Sequence, residues 1–423
     1  MQINTFNAFK SRNYRLFFLG QSVSLIGTWM QKTAVSWVVY SLTHSKFMLG
    51  VTLFASLFPT FVLSSIGGVV SDRYNRFKVL LTTQVSSMIQ AIALAMLIFF
   101  NHFNIWEVVA LSAILGIINA FDVPARQALV YDMVDDKKDL PNALALNSSM
   151  VNLSRLIGPA IAGIAIEKLG DDVCFGLNAL SFVAVIGSLL LMRLPAYVAK
   201  PHTKNVLGEL KEGFLYVKNT PTIGFVILML ALMSLLVLPY NTLIPVYAKD
   251  IFHGTASTFG VIDSAIGLGA FCGAIFLASL KPGTDLNKIL TINTFVFGIG
   301  LSLFAFEKTY WLALIFITIS AFGMMSQVTI TNTLVQTTVS ADMRGRVISL
   351  YAMAFFGMQP IGGLIVGALS QRFGAETTIL VQGTVAMLIG GLHLWHLQSV
   401  KMKSAQTAPT LDKQPSVMME HSA

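Results

Sequence analysis

The sequence contains little charge for its length. Asp, Glu, Lys and Arg make up 11% of its 423 residues, whereas 55% are hydrophobic. A soluble globular domain has about a quarter of its residues charged. The composition therefore excludes an ordinary soluble domain and indicates a chain that lies mostly in lipid.

Reactive groups are also scarce. The two cysteines, Cys174 and Cys272, lie in apolar stretches, which favours packing and gives no disulfide framework. The seven histidines are scattered, so the sequence predicts no metal site and no catalytic cluster. The phosphate-binding pattern Gly-x4-Gly-Lys-Ser/Thr does not occur, which argues against a primary pump. No cofactor is expected, and a membrane-embedded enzyme is the least favoured class.

Long runs without a charged residue are the main feature of the sequence. About 20 apolar residues suffice for a helix to cross a bilayer. The runs of at least 18 residues without a charge are 47–71, 79–106, 173–192, 222–248, 289–306, 309–341, 347–371 and 377–400. Four more stretches qualify except for a charge at Lys32, Asp122, Arg155 or Asp263. Because no strand-like alternation is sustained, the sequence predicts an all-α membrane protein with twelve transmembrane helices.

The predicted helices form two groups of six that repeat each other. The glycines that recur 204 residues later are Gly158, Gly163 and Gly170, matched by Gly362, Gly367 and Gly374. Parallel repeats with the substrate site between them are one of the known transporter architectures. The predicted units are an N-terminal six-helix bundle (1–194), a cytoplasmic linker (195–221), a C-terminal six-helix bundle (222–397) and a disordered cytoplasmic tail (398–423).

The net charge of +8 is explained by topology. With the N-terminus in the cytoplasm, 21 of the 28 Lys and Arg residues fall in inner segments and 5 in outer ones. This bias predicts that both termini are cytoplasmic, and no compact basic patch suggests nucleic acid. In the linker, apolar residues recur at helical spacing from Leu207 to Lys218, which predicts an amphipathic helix on the cytoplasmic surface.

The loop after the second predicted helix carries a recognisable pattern. Gly68 precedes Asp72 and Arg73 by four and five residues, and Arg76 follows. This spacing resembles the signature loop of the major facilitator superfamily, Gly-x3-Asp-Arg-x-Gly-Arg-Arg/Lys. Asn75 stands where that pattern has Gly, and Asn tolerates positive φ, so the turn is expected to survive.

The resemblance implies a conformational latch between the two halves. In the family this loop bridges the halves and holds one conformation. The residues expected to form the latch here are Gly68, Asp72, Arg73 and Arg76. The partner expected for Asp72 is the N-terminal end of the eleventh helix, near Arg344 and Arg346, where a helix dipole favours a carboxylate.

The fifth predicted helix contains a Gly-Pro pair at Gly158 and Pro159, followed by Gly163. Pro removes a helical hydrogen bond and Gly permits close approach, so a kink at a packed interface is expected. The segment is also similar to the Gly-x3-Gly-Pro-x2-Gly-Gly signature of facilitator antiporters, with Ser154 and Ala162 replacing two glycines. That signature implies export.

Other segments resemble one branch of the superfamily, the bacterial drug and siderophore exporters related to the enterobactin exporter. The segments that carry the resemblance are Ile26–Lys32, Asp122–Gln127 and Asn147–Pro159, and it extends over roughly residues 8–397. The resemblance implies the family and leaves the substrate open, because relatives carry siderophores, macrolides, tetracyclines and lysophospholipids.

Charges at membrane depth are costly and therefore mark candidate functional residues. Asp122, with Arg126 one turn later, is expected to meet Arg155 as a structural pair or as a gating or proton-linked pair. Asp263 is interpreted as a helix-end carboxylate, a proton-binding group or a contact for a cationic substrate. Lys32 is expected to pair with Asp263, to attract an anionic substrate or to reach the outer surface.

Polar and aromatic residues at middle depth predict a cavity for a large amphipathic ligand, although each one alone also suits helix packing. These residues are Gln21, Trp29, Gln31, Tyr240, Asn241, Asn332, Gln336, Tyr351 and Gln359.

These patterns predict a multi-pass carrier of the bacterial cytoplasmic membrane that functions as a monomer. It is expected to export an amphipathic small molecule such as a siderophore or drug in exchange for protons, by alternating access. The proton gradient replaces any cofactor, and the partners are the substrate and the lipid bilayer. An importer or a lysophospholipid flippase of the same fold is the alternative.

Overall fold

The computed structural model describes residues 6–100, 104–194, 206–281 and 283–407. These residues are almost entirely helical and contain no strand, which confirms the all-α prediction. Eleven of their helices are long and apolar enough to cross a membrane. In lipid such helices satisfy their own backbone hydrogen bonds, which is why they suit a bilayer.

The first half contains six long helices. They are α1 (Arg12–Thr43), α2 (Lys46–Arg73), α3 (Arg76–Phe99), α4 (Ile105–Met133), α5 (Leu140–Leu169) and α6 (Asp171–Leu190). The helix α1 is as long as these helices but more polar than the eleven that are apolar enough to cross a membrane. Many of its polar side chains, such as Gln21, Gln31 and Thr33, are buried against neighbouring helices and therefore avoid lipid.

The second half repeats the arrangement with two interrupted helices. Its helices are α8 (Pro221–Leu236), α9 (Ile244–Val246), α10 (Ala256–Ala278), α11 (Leu286–Phe306), α12 (Tyr310–Thr338), α13 (Arg344–Ala352), α14 (Met358–Phe373) and α15 (Ala375–Thr407). A 3₁₀ turn joins α8 to α9, a π turn continues α9 to Ile251, and a π turn also joins α13 to α14. Pro239, Pro245 and Pro360 lie in or beside these segments, where the missing N–H breaks the helical pattern.

The repeat is visible in the chain geometry. Gly170 and Gly374, which are 204 residues apart, end α5 and α14 with φ angles of 105° and 90°. A residue with a side chain would be strained at either turn. The two halves therefore share the same turn at the same place in the fold.

The halves pack against each other along two seams rich in glycine. In one seam Gly163 of α5 lies against Gly260 of α10, and in the other Gly367 of α14 lies against Gly50 of α2. A Cβ atom on Gly163 would lie 2.7 Å from the Ala256 carbonyl oxygen. The backbones approach this closely because glycine has no side chain.

The bundle has two ends, the Lys46 end and the Asp72 end. The Lys46 end contains Lys46, Gly170 and Gly374, and the Asp72 end contains Asp72 and Arg344. The glycine pairs of both seams lie toward the Lys46 end, because Gly50 is close to the start of α2 and Gly367 is close to the end of α14. The halves are therefore in tight contact at that end.

The linker forms the predicted helix, whereas the tail differs in part from its predicted structure. The linker forms a helix, α7 (Val206–Asn219), which packs on α13 through Gly213 and Arg346. The predicted tail boundary at 397 is wrong, since α15 continues through Thr407. Polar residues can extend a helix beyond its apolar part when nothing breaks it, and the first proline after this point is Pro409. Residues 195–205 and 408–423 lie outside the described part.

Candidate functional site

A charged cluster lies where the two halves meet. Lys32 of α1 and Arg155 of α5 flank one indole ring, with the Lys32 Nζ atom 4.7 Å and the Arg155 Cζ atom 5.6 Å from the centre of the Trp29 ring. Asp263 of α10 accepts a hydrogen bond of 3.1 Å from the Thr33 hydroxyl. The charge of Asp263 attracts both cations, while the two cations repel each other.

The cluster faces a space between the halves. Lys32 is exposed, while Trp29, Arg155 and Asp263 are half-buried. Because these side chains come from three helices and from both halves, the exposure of Lys32 reflects a gap inside the protein. A cation over an aromatic face gains about 0.5–2 kcal/mol, so the Trp29 ring stabilises both positive charges.

Proline and glycine position the cluster. Pro159 cannot donate a backbone hydrogen bond, which leaves the Arg155 carbonyl without its helical partner. Gly267 of α10 packs against that carbonyl, where an added Cβ would lie 2.8 Å from the oxygen. Gly158 makes room for Trp29, since a Cβ there would lie 2.6 Å from the Trp29 Cβ. The predicted kink residues thus bring α1, α5 and α10 together at the cluster.

A second buried charge is held inside the first half. The Asp122 carboxylate lies 3.2 Å from Arg126 Nη2, one helical turn away on α4. It also accepts hydrogen bonds from the Thr83 hydroxyl at 2.9 Å and from the Gln84 amide at 2.6 Å, both on α3. These three partners surround the carboxyl group of Asp122, which is 4% exposed.

The helix segment that carries Asp122 packs directly against α2. Pro124 leaves the Ala120 carbonyl without its helical hydrogen bond, and Gly67 of α2 packs against that carbonyl. Gly67 is close to Asp72 along the chain. A rearrangement around Asp122 can therefore reach the signature loop through one packed contact.

The Lys46 end is closed by polar contacts between the halves. The Tyr40 hydroxyl donates a hydrogen bond to Asp250. The Thr255 hydroxyl donates to Glu167 at 3.0 Å, and the Lys46 backbone N–H donates to Gln371 at 2.9 Å. Each contact joins one residue of the first half to one of the second.

At the Asp72 end the charges pair largely within each half. Arg76 lies 3.3 Å from Asp132 of α4 and 3.9 Å from Asp72. Arg346, near the expected partner of Asp72, lies 3.1 Å from Glu212 of α7. The predicted approach of Asp72 to the start of α13, near Arg344 and Arg346, stays a prediction.

One detail of the signature loop differs from the sequence interpretation. Asn75 has a φ of −61°, so the expected positive φ is wrong. Its side chain accepts hydrogen bonds from the Phe77 and Lys78 N–H groups instead and caps α3. A Cβ on Gly68 would meet no atom within 4 Å, and Arg73 is exposed.

Near the start of α13 a further carboxylate stays charged. A hydrogen bond from Ser340 lowers the pKa of Asp342 below its usual value, and the nearby Arg346 charge acts in the same direction. The surroundings of Arg346 therefore include two carboxylates, Glu212 and Asp342.

Comparison of the whole sequence decides the class. Residues 3–422 match the profile of the major facilitator family described as transmembrane secretion effector. The chain belongs to this family. It is therefore a transporter and not an enzyme, as the sequence predicts.

Named relatives of this major facilitator transporter cover nearly its whole length. The staphyloferrin A transporter of Staphylococcus aureus is 26% identical over 92% of this chain and 97% of its own. The enterobactin exporter of Salmonella typhimurium is 26% identical, with 94% and 95% covered. The macrolide efflux protein A of Streptococcus pyogenes is 22% identical, with 90% and 96% covered.

Solved structures share the major facilitator fold at low identity. A POT family transporter in complex with 5-aminolevulinic acid matches with a TM-score of 0.72 at 14% identity, covering 91% of this chain and 96% of that one. A bacterial homologue of the human lysosomal transporter Spinster, inward-facing and unoccupied, matches at 0.69 and 14%, covering 93% and 98%. These matches confirm the predicted fold.

The transporter places its charged residues differently from the predicted pairing. Asp122 and Arg155 do not form the expected pair, because Asp122 binds Arg126 and Arg155 lies at Trp29. The helices α4 and α5 follow each other in sequence but pack mainly on other helices, α4 on α2 and α5 on α10. Lys32 and Asp263 do share one cluster, together with Arg155.

Several predicted cavity residues are enclosed within a bundle. Tyr351 is buried and donates a hydrogen bond to the Val328 carbonyl, and Tyr240 is 1% exposed. Gln21 and Gln31 are also buried, so these four do not line a cavity in this structure. The predicted residues that are half-buried or exposed are Trp29, Asn241, Asn332, Gln336 and Gln359.

The sequence interpretation missed some polar residues that matter to the fold. Gln90 and Asn178 bind the two ends of the Gln31 amide, at 2.9 and 2.7 Å. The Thr33 hydroxyl donates a hydrogen bond to Asp263. Its position next to Lys32 in the sequence could have indicated that it belongs to the charged cluster. Gln327 of α12 is fully buried, and both amide atoms lack a partner among the described residues.

Proposed function

We propose that this transporter exports an amphipathic small molecule in exchange for protons, by alternating access across a bacterial cytoplasmic membrane. The proton gradient supplies the energy, so no cofactor is required, and one chain holds both halves of the site and functions as a monomer. The single observation that carries the proposal is the charged cluster at Lys32, Arg155 and Asp263, which both halves build together.

The orientation follows from the distribution of basic residues. Lys and Arg are concentrated at the Asp72 end, and cytoplasmic segments of membrane proteins carry such an excess. With the Asp72 end and both termini in the cytoplasm, the closed Lys46 end faces outward. The central cluster is then reached from the cytoplasm, which suits the loading step of an exporter.

Alternating access requires the halves to separate at the Lys46 end and to meet at the Asp72 end. The contacts of Tyr40 with Asp250 and of Glu167 with Thr255 would break in that step. Asp72 would then approach the start of α13, which supplies an N-terminal dipole and two arginines. Gly68 would allow that approach, since its Cβ position is open in the present state.

Proton exchange requires an acid whose protonation differs between the two states. Asp122 and Asp263 are the candidates at membrane depth. Protonation of Asp122 would remove its ion pair with Arg126, and the packed contact between Ala120 and Gly67 would pass that change toward Asp72. Protonation of Asp263 would instead weaken its attraction to Lys32 and Arg155.

The relatives suggest which molecules to test. Their names specify staphyloferrin A, enterobactin and macrolides, and both the siderophores and the macrolides are large amphipathic molecules. A siderophore or a macrolide-like drug is therefore the substrate class to test first.

Everted membrane vesicles provide the direct test. Vesicles that contain the protein should accumulate one of these labelled compounds when a proton gradient is imposed, and an uncoupler should abolish the accumulation. One of the two changes, Asp122→Asn or Asp263→Asn, should abolish proton-driven accumulation, because the exchanging acid is then absent. Unchanged accumulation in both variants would contradict the proton assignment, and uptake by intact cells without accumulation in everted vesicles would indicate an importer.

A further inference from the structure

The central cluster carries an unbalanced charge. Lys32 and Arg155 supply two cations around a single Trp29 ring, whereas Asp263 supplies one carboxylate. The hydroxyl of Thr33 already binds Asp263. Tyr240, the other titratable group whose electrostatic partners include Arg155 and Asp263, is 1% exposed and neutral as a phenol. Among the residues that the structure describes, one positive charge in the cluster is therefore without a counter-charge.

We propose that the central site selects an anionic aromatic or carboxylate ligand, which binds Lys32 and Arg155 in competition with Asp263. The inference rests on the proposed function, because it takes the cluster to be the substrate site. The proposal predicts different binding of the two kinds of molecule named for the relatives. Siderophores carry acidic iron-binding groups, whereas macrolides carry a basic amine.

Exposure supports an anion at the cation side of the cluster. Lys32 is exposed to the gap between the halves, and the planar Arg155 guanidinium can hold a carboxylate through two parallel hydrogen bonds. Asp263 is half-buried and one of its oxygens is occupied by Thr33. A ligand that enters the gap therefore meets positive charge and the edge of Trp29 more readily than the carboxylate.

The competition also assigns the exchanged proton. A bound anion and the Asp263 carboxylate repel each other while both attract the same cations. A proton on Asp263 removes the competitor, so proton and anion at this site favour each other, and by linkage they bind together. Exchange requires instead that binding of the proton weakens binding of the anion. The proton exchanged for the anion therefore belongs to Asp122, which lies in its own network with Arg126, Thr83 and Gln84.

Binding to the purified full-length protein tests the selectivity without any gradient. Fluorescein and rhodamine 6G share one ring system and carry opposite charge, so their anisotropy can be compared in phosphatidylcholine nanodiscs after subtraction of empty discs. The wild-type protein should bind fluorescein more tightly than rhodamine 6G. Lys32→Gln and Arg155→Gln should each weaken fluorescein binding about tenfold, the effect of losing one strong contact.

The direction of the change in fluorescein affinity in Asp263→Asn decides whether Asp263 competes with the ligand. It should tighten fluorescein binding, because it removes the internal competitor. Lys308→Gln, which removes an exposed cation at the Lys46 end, should change nothing, and Lys32→Arg should keep the preference for the anion. The Arg155 variant tests the cations independently if the Lys32 variant does not fold.

Preference for rhodamine 6G, or weaker fluorescein binding in Asp263→Asn, would overturn the proposal. Failure of the proposed function is separate, since it would appear as a preserved anion preference in nanodiscs without accumulation in everted vesicles.

Discussion

Gln31 and Gln336 show how much the surroundings of a residue decide its contribution. The two glutamines look alike in the sequence, as polar groups inside apolar runs. Gln31 is buried and joins α1 to Gln90 of α3 and Asn178 of α6. Gln336 is exposed and binds Asn332 one turn away at 3.0 Å. The first is a structural link between helices, and the second is available to a ligand.

Gln31→Leu should therefore destabilise the first half. The change leaves the Asn178 amide and the Gln90 carbonyl without partners in an apolar interior, at about 1–3 kcal/mol for each group. The apparent melting temperature in detergent is expected to fall, whereas the matched Gln336→Leu should leave it nearly unchanged. A stable Gln31→Leu protein with impaired ligand binding would instead indicate that Gln31 lines the cavity.

The residue scale is also where sequence reasoning was weakest. Asp122, Arg155, Lys32 and Asp263 could be singled out because any charge inside an apolar run is unusual. Their partners could not, because pairing depends on which helices are neighbours and how each is rotated. Asp122 finds Arg126 on its own helix, which helical spacing alone allows. Arg155 finds Trp29 because α5 packs on α1 and α10.

At the scale of elements, the glycine-lined seams set how the halves meet. Gly163 and Gly260 bring α5 and α10 into backbone contact, and Gly367 and Gly50 do the same for α14 and α2. Contacts between helix backbones in lipid depend on van der Waals packing, so they are sensitive to one added methyl group. Breaking and remaking these seams is the main change that alternating access requires.

Gly163→Ala should open the Lys46 end. The new Cβ would lie 2.7 Å from the Ala256 carbonyl oxygen, and such overpacking costs about 1–3 kcal/mol. With Cys174 and Cys272 replaced, a cysteine at Ser257 should react at least about fivefold faster with an impermeant maleimide in Gly163→Ala than without it.

Gly176→Ala is the matched control for this change, because a Cβ at Gly176 meets no atom within 4 Å. It should leave the labelling rate of the cysteine at Ser257 unchanged. Equal rates in both glycine variants would show that the seam does not control closure of the Lys46 end.

At the scale of the whole molecule, most of the architecture was predictable. Apolar runs located the membrane helices, and the 204-residue offset revealed the repeat, because both follow from local composition. The interrupted helices in the second half were not predicted, although Pro239, Pro245 and Pro360 mark their positions in the sequence. The conformational state was also beyond the sequence, because one sequence encodes both states of a carrier.

The whole molecule works as an exchanger if Asp122 and the central cluster respond to each other across the first half. The cluster would bind the anion, and Asp122 would bind the proton that moves the other way. The Gly67 contact with Ala120 and the α5–α10 seam would connect these sites to the two ends. Anion binding and proton binding would then use separate sites, whereas in the alternative mechanism a single acid takes part in both.

Proton movement driven by substrate would show directly whether the transporter is an exchanger that uses Asp122. Proteoliposomes are loaded with the siderophore that everted vesicles accumulate, and the lumen contains a pH-sensitive dye, with potassium and valinomycin clamping the membrane potential. Outward movement of the siderophore should acidify the lumen in the wild type and in Asp263→Asn, but not in Asp122→Asn. Alkalinisation in the wild type, or acidification that survives in Asp122→Asn, would contradict the account.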